Sequence, residues 1–218
     1  MRTRVKICGI TRVADGLAAA HAGADAIGLV FWAGTPRRVS PAQARDIAGA
    51  LPPLVSRVGL FVDPSPEEVH GAMQAVHLDA LQFHGREDAA FCRAFGLPWL
   101  KAIHVAEDVD LLECVAQFDG AAALLFDAFR PGDLPGGTGH AFDWSRLAAL
   151  PVDRNVPIIV SGGLDPDNVT RAIRTLRPYA VDVSSGVEER DAAGRPRRGL
   201  KDAARIEAFM QGVRSADA

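Results

Sequence analysis

Cysteine and lysine are both scarce in this sequence of 218 residues. The three cysteines, Cys8, Cys92 and Cys114, are odd in number, widely spaced and without a CxxC pair. This pattern indicates neither a disulfide framework nor a zinc site, and it fits a reducing compartment best. Only three of the 24 basic residues are lysines, and we interpret the excess of arginine as compositional background rather than as chemistry.

Long apolar runs and an excess of one charge are also missing. No stretch approaches the roughly 18 uninterrupted apolar residues of a membrane span. The chain passes from Met1 directly into strand-like sequence, without the apolar core of a signal peptide. The 24 basic residues nearly balance 27 acidic ones, so an anionic ligand needs local positive groups and no nucleic-acid or membrane partner is expected. These absences predict a soluble, cytoplasmic protein.

Eight short runs rich in Val, Ile, Leu and Phe recur along the chain, with helix-like segments between them. Most of the runs are continuously apolar, which is typical of parallel strands covered on both faces. The predicted strands are Val5–Cys8, Ala26–Phe31, Arg57–Val62, Ala80–Phe83, Leu100–Val105, Ala122–Asp127, Ile158–Ser161 and Ala180–Ser184.

Helix start signals precede several of the intervening segments. A capping residue followed by proline precedes each of three predicted helices, Ala42–Ala50, Val69–Val76 and Val169–Leu176. In the third case the signal is the run Asp165–Asn168, and a last helix is predicted over Leu200–Gly212.

The alternation of strands and helices predicts the fold class. Eight strands within 218 residues fit an α/β protein that forms a single (β/α)8 TIM barrel, one catalytic domain over residues 1–218. A doubly wound open sheet usually has fewer strands and carries its glycine fingerprint after the first one. Two long segments, Phe129–Ala141 and Glu188–Gly199, are expected to be loops, the second charged and mobile.

Two strand ends carry candidate acid–base groups, since TIM-barrel active sites lie at the carboxyl ends of the strands. Cys8 ends the first strand and is either a small buried hydrophobe or, beside Lys6 and the open Gly9, a reactive thiolate. Asp127 ends the sixth strand after apolar residues. Desolvation would raise its pKa, which suits a general acid, although a structural acid that caps the next loop is the alternative.

Small-residue turns follow the seventh and eighth strands. Gly162 and Gly163 follow one strand, and Ser185 and Gly186 follow the other. Turns in these two positions present backbone N–H groups to a phosphate, and simple tight turns are the alternative reading.

Two further pairs of polar residues lie near strand ends. One of the adjacent Arg37 and Arg38 could hold a ligand carboxylate through two parallel hydrogen bonds, although adjacent cations in a loop are more often solvated. Gln82 and His84 point the same way, either into the barrel mouth or as a structural pair. No metal site is predicted, because no HxH or HExxH spacing involves the other histidines: His21, His70, His77, His104 and His140.

The motifs taken together resemble the phosphoribosylanthranilate isomerase family through almost the whole chain. The opening KICGIT and the later DVSSGVE are each highly specific. The matching segments are Lys6–Thr11, Gly28–Phe31, Pro36–Ser40, Gly59–Val62, Leu81–Gly85, Leu124–Asp127, Gly136–Gly139, Phe142–Trp144, Ser161–Leu164, Asn168–Val169 and Asp182–Glu188.

The resemblance implies a cofactor-free Amadori rearrangement of N-(5'-phosphoribosyl)anthranilate to 1-(2-carboxyphenylamino)-1-deoxyribulose 5-phosphate in tryptophan biosynthesis. It implies Cys8 as general base, Asp127 as general acid and Arg37 as the group that holds the anthranilate carboxylate. The expected partner is this small-molecule substrate, with the chain as a monomer or a homodimer. Further candidates for the substrate pocket are Lys6, Gln82, His84, Gly139 and Asp182.

Two segments depart from the family pattern: the longer stretch between Glu188 and Asp202, and Trp32 in the loop after the second strand. Other phosphosugar-binding barrels remain alternatives. A ribulose-phosphate epimerase needs histidine and aspartate metal ligands on several strands, and the sequence shows no such set. An indoleglycerol-phosphate synthase needs a catalytic lysine on an early strand and a different opening motif. A non-catalytic barrel that binds a phosphorylated ligand is expected to have lost Cys8 or Asp127.

Overall fold

Eight parallel strands close into a barrel in chain order. The structure is a computed structural model that describes residues 2–105, 109–128, 147 and 156–218. All eight strands lie within one residue of their predicted bounds, so the predicted TIM barrel is confirmed. The strands are β1 (Arg4–Cys8), β2 (Ala26–Val30), β3 (Ser56–Phe61), β4 (Ala80–Phe83), β5 (Trp99–Val105), β6 (Ala123–Ala128), β7 (Ile158–Val160) and β8 (Ala180–Val183).

Alternation along the strands divides the apolar residues into an outer and an inner core. Leu124 and Phe126 of β6 belong to the large cluster between the strands and helices. Leu125, between them, joins a smaller cluster with residues such as Val58 and Ile159 from other strands. Successive side chains of a strand point to opposite faces, so this smaller cluster fills the barrel interior. Asp127, two residues beyond Leu125, therefore lies above the filled interior, at the mouth.

Within the described residues, helices lie between successive strands of the barrel as predicted, with most of the connection between β6 and β7 outside these residues. Ser40 and Ser65 each form a capping box, with a proline in the first turn of the helix that follows. None of the helices in the described ranges is long and apolar enough to cross a membrane. The described helices are α1 (Val13–Ala22), α2 (Pro41–Ala50), α3 (Pro66–Ala75), α4 (Ala89–Arg93), α5 (Leu111–Gln117), α6 (Val169–Leu176) and α7 (Ala203–Asp217).

The third capping signal is confirmed at Asp165, whose Oδ1 accepts from the N–H groups of Asp167 and Asn168 at 2.9 and 3.0 Å. The side chain of Asn168, directly before α6, makes no cap hydrogen bond and donates to the Gly163 carbonyl at 2.7 Å.

The prediction for the last helix needs correction. The last helix begins at Ala203, after Asp202 caps it, and continues through Gly212. A Cβ at Gly212 would lie 2.7 Å from the side chain of Val169, so this glycine permits close helix packing rather than ending the helix.

The segment Glu188–Gly199, expected to be a mobile loop, is instead part of an ordered hairpin. Strands β9 (Glu188–Arg190) and β10 (Pro196–Lys201) pair antiparallel. Their connecting turn contains Gly194 at φ 76°. The other long segment, Phe129–Ala141, lies outside the described residues, and so does Gly139.

Candidate active site

A pocket opens at the carboxyl ends of the barrel strands. It collects residues predicted from separate parts of the sequence and is lined by Cys8, Arg37, Gln82, His84, Asp127, Gly162, Gly163, Asp182 and Ser185 among others. Cys8 and Asp127 come from β1 and β6, which are separated by two strands in the closed barrel. The two candidate acid–base groups therefore flank the same pocket.

Cys8 lies in a buried electrostatic network at the mouth. Burial raises the pKa of the Cys8 thiol, and the Lys6 ammonium opposes this rise by favouring the thiolate. Lys6 itself does not line the pocket; it donates to Asp182 Oδ1 at 2.7 Å. Burial acts to lower the pKa of Lys6, but Asp182 and Cys8 outweigh it, so the pKa is raised. A cation is thus held next to the thiol.

Asp127 and His84 face each other on the opposite wall. His84 Nε2 lies 3.2 Å from Asp127 Oδ2, yet neither atom makes a hydrogen bond within the described part of the chain. Gln82 Nε2 lies 3.2 Å from His84 Nδ1, so Gln82 orients the imidazole. Asp127 is 1% exposed, which makes it a carboxyl that is nearly desolvated but has an oxygen turned to the pocket.

The two small-residue turns line the pocket after β7 and β8. Gly162 and Gly163 have φ angles of 85° and 65°, in the left-handed region that favours glycine. Ser185 begins a short 3₁₀ helix after β8 and also lines the pocket. Gly186 is placed differently: a Cβ there would lie 1.9 Å from the Leu164 carbonyl oxygen. Close packing between the two turns therefore requires a glycine at position 186.

Arg37 is buried, and its partner changes the expected geometry of the site. Its Nε and Nη2 donate to the two carboxylate oxygens of Glu188 at 2.7 and 2.9 Å. Glu188 therefore occupies the Nε/Nη2 edge of Arg37, and the predicted two-bond contact with a ligand carboxylate stays a prediction for the other edge, formed by Nη1 and the second hydrogen of Nη2. Nη1 makes no hydrogen bond within the described residues and is the group that Arg37 can offer to the pocket. Arg38, its neighbour, is exposed.

Sequence reasoning missed Glu188 and Lys201 as parts of the site. Glu188 accepts hydrogen bonds from Lys201 Nζ at 3.3 Å and from the Gly199 N–H at 2.9 Å, besides those of Arg37. Burial acts to raise the pKa of Glu188, but Arg37 and Lys201 outweigh it and hold the pKa below its usual value. The sequence feature that indicates Lys201 is the rarity of lysine. A lysine in an arginine-rich chain suggests that this position needs an ammonium group.

An apolar wall beside Arg37 was also missed. Cys8, Val30 and Leu60 form a buried cluster at the mouth, against which Trp32 and Val62 pack. A Cβ at Gly34 would lie 2.1 Å from the Trp32 ring, so the indole rests directly on the main chain of its own loop. This wall offers an apolar surface in the same pocket as Arg37, and its Trp32 lies in the loop that also supplies Arg37.

The fold and the pocket define a class of protein: a (β/α)8-barrel enzyme with a thiol and a carboxyl facing one another across the mouth. A family model, N-(5'phosphoribosyl)anthranilate (PRA) isomerase, matches residues 5–212. The chain belongs to this family. A relative named N-(5'-phosphoribosyl)anthranilate isomerase, from Pseudomonas aeruginosa, is 52% identical over 212 residues, 97% of this chain and 95% of the relative.

Solved structures agree with this assignment. The phosphoribosyl anthranilate isomerase of Thermotoga maritima is 38% identical, with a TM-score of 0.85 over 98% of this chain and 99% of that one. A second structure is an isomerase in complex with reduced 1-(o-carboxyphenylamino)-1-deoxyribulose 5-phosphate. It has a TM-score of 0.81 at 38% identity and covers 98% and 99% of the two chains.

Proposed function

We propose that this chain isomerises N-(5'-phosphoribosyl)anthranilate to 1-(2-carboxyphenylamino)-1-deoxyribulose 5-phosphate, a step of tryptophan biosynthesis, as a single catalytic domain. Membership of the isomerase family supports the activity. We place the reaction in the cytoplasm, because Cys8, Cys92 and Cys114 are all free thiols, as a reducing compartment requires.

The observation that carries the proposal is the set of groups gathered around one pocket. The small-residue turns after β7 and β8 suit a phosphate. The apolar wall with Trp32, on the side of β2 and β3, suits an aromatic ring, and Arg37 in the loop after β2 suits its carboxylate. Cys8 and Asp127 come from β1 and β6, on the strands between these two sides of the closed barrel. A phosphate, an aminobenzoate and a sugar that joins them are the corresponding parts of the substrate.

In this proposal Asp127 protonates the furanose ring oxygen, and the ring opens to a cationic Schiff base. The iminium acidifies the C2–H bond, and Cys8 removes that proton to give the enolamine, which tautomerises to the ketone product. Burial raises the pKa of free Cys8, so the thiol form predominates before substrate binds. The positive charge of the Schiff base and of Lys6 then both favour the thiolate.

The remaining pocket residues hold the substrate. We assign the phosphate to the N–H groups of Gly162, Gly163 and Ser185, with Gly186 shaping the turn. Arg37 Nη1 is assigned to the anthranilate carboxylate. Gln82 orients His84, whose Nε2 lies 3.2 Å from Asp127 Oδ2, and Asp182 fixes Lys6 beside Cys8 through their 2.7 Å ion pair.

Two substitutions test the acid–base assignment. Cys8→Ser replaces a thiol by a much weaker acid, and Asp127→Asn removes the proton donor while keeping the shape. Each should lower turnover by about 10²–10⁴-fold, the usual contribution of such groups, while a product analogue still binds because phosphate and carboxylate contacts remain. Turnover is followed by anthranilate fluorescence, and analogue affinity by calorimetry.

Cys114→Ser is the matched control, since Cys114 lies in α5 and only half-buried. It should turn over as the parent does. A folded Cys8→Ser variant within a few-fold of the parent would show that the thiol is structural and that another residue is the base.

A further inference from the structure

Three adjacent strands bring two imidazoles and a carboxylate together at the barrel mouth. His84 follows β4, His104 lies in β5 and Asp127 lies in β6, with His104 and Asp127 directly paired in the sheet register. One ligand-type atom of each residue lies within 4.8 Å of the other two. The sequence showed no metal-binding spacing because neighbouring strands, rather than a short motif, supply the three groups.

Two of the three groups have buried polar atoms without partners. The side chains of His84 and Asp127 are 6% and 2% exposed and both line the pocket. Neither His84 Nε2 nor Asp127 Oδ2 has a hydrogen-bond partner in the described ranges. A buried polar atom without a hydrogen-bond partner indicates a binding site for a ligand, because desolvation of an unpaired polar atom costs free energy that a ligand can restore.

We propose that His84, His104 and Asp127 form a binding site for a divalent transition metal, with Zn²⁺ as the preferred ion. Two imidazoles and one carboxylate, with a fourth position open to water, are a common zinc ligand set. Ligand atoms around tetrahedral zinc lie roughly 3.3–3.5 Å apart when the bonds are about 2.0–2.2 Å. The 3.2 Å separation of His84 and Asp127 already matches this spacing.

The surroundings also resemble the outer contacts of a metal site. Gln82 contacts His84 Nδ1 through its amide, and Gln82 Oε1 has no partner within the described chain. Turning this amide by 180° lets Oε1 accept from Nδ1–H, which leaves the lone pair on Nε2 toward the metal. His104 hydrogen-bonds to the main chain of His84, a contact that orients its ring.

Metal binding and the proposed isomerisation compete for the same carboxyl group. A carboxylate bound to zinc cannot donate a proton, so the ion acts as a reversible inhibitor that enters through the substrate pocket. The inhibition rests on the proposed function, whereas metal binding does not. The two are therefore measured separately.

The binding experiment uses the full chain, stripped with EDTA and dialysed against ZnCl2 or CoCl2. We expect one ion per chain, and cobalt absorption bands in the visible region without the near-ultraviolet band of a thiolate ligand. His104→Gln should weaken zinc binding by roughly tenfold or more. His21→Gln, a change of an exposed histidine in α1, should leave it unchanged. Circular dichroism checks that both variants are folded.

The outcomes separate the alternatives. Zinc binding that is equal in the parent and in His104→Gln, a thiolate band in the cobalt spectrum, or no binding at micromolar metal would each overturn the site. In the turnover assay, zinc should inhibit the parent and His21→Gln more than His104→Gln, and EDTA should restore activity. If the parent binds zinc but does not isomerise the substrate, the proposed function fails while the metal site stands.

Discussion

Each of the three lysines pairs with a buried carboxylate from another part of the chain. The pairs are Lys6–Asp182 at 2.7 Å, Lys101–Glu87 at 2.6 Å and Lys201–Glu188 at 3.3 Å. Burial of both charges costs desolvation energy, so such pairs add little net stability to the fold. Removal of one partner is nevertheless strongly destabilising, because the other charge is then buried without a counter-charge. The rarity of lysine, interpreted from the sequence as background, therefore coincides with a specific role: lysine remains where an ammonium is buried.

Lys6 is predicted to control the ionisation of Cys8. Burial raises the pKa of the thiol, and Lys6 opposes that rise, so Lys6→Met should move the pKa further up. Asp182, then without its partner, acts in the same direction. The pH dependence of Cys8 alkylation by iodoacetamide, followed by peptide mass spectrometry, measures the shift. Lys101→Met is the control, because Lys101 pairs with Glu87; an equal shift in both variants contradicts a specific effect of Lys6.

At the scale of elements, the β9–β10 hairpin determines what Arg37 can do. Its first residue, Glu188, and its last, Lys201, are paired in register, and together they meet Arg37 from the loop after β2. Thr11 donates to the Gly199 carbonyl, which ties the hairpin to the end of β1. The lengthened segment thus supports the mouth of the barrel.

Glu188→Gln should destabilise the fold strongly. It leaves Arg37 and Lys201 buried without a counter-charge, and removal of one partner of a buried pair costs about 3–5 kcal/mol. Glu189→Gln, the next residue of β9, removes only partly exposed pairs with Arg12 and Arg197 and should cost about 0–1 kcal/mol. Urea unfolding of both variants measures the difference. Equal losses would show that Glu188 is not the centre of the network.

A substitution in the turn after β7 can separate the effect of backbone strain on stability from the effect of the turn on phosphate binding. Gly163 and Gly194 have similar φ angles, 65° and 76°, so alanine at either position should cost about 1 kcal/mol of stability. Gly163→Ala should also raise KM by roughly tenfold or more, because the added Cβ keeps the phosphate away from the backbone N–H and weakens a hydrogen bond to a charged group. Gly194→Ala, in the hairpin turn, should leave KM unchanged. An unaltered KM in Gly163→Ala would remove this turn from the phosphate site.

The sequence predicts these elements unevenly, for physical reasons. Strand ends such as Cys8 and Asp127 follow from alternation, which is local. The Arg37–Glu188 pair joins residues 151 positions apart, and only the closed fold brings them together. The β9–β10 hairpin is another example. Its many charged residues predict a solvated loop, whereas in the structure the buried contacts of Glu188 hold it as an ordered hairpin.

At the scale of the whole molecule, closure of the barrel creates the site. The apolar interior cluster ends with Leu125 on β6 and Ile159 on β7, and the next inward residues, Asp127 and Ser161, line the pocket. The change from apolar to polar at this level is visible in the sequence as a polar residue at the end of the apolar runs of β6 and β7. The grouping of His84 and His104 with Asp127 is not visible there, since it depends on which strands are neighbours.

Burial of all three lysines also determines how the native protein can be labelled. Lys6, Lys101 and Lys201 are 4%, 3% and 3% exposed, so the folded surface offers no lysine amine to an acylating reagent. An N-hydroxysuccinimide ester should therefore leave the lysines of the native chain unmodified and attach to them only after denaturation. Intact-mass and peptide mass spectrometry of native and urea-treated samples measure this; lysine adducts on native protein would contradict it. The count of acylated lysines thus reports unfolding of the chain.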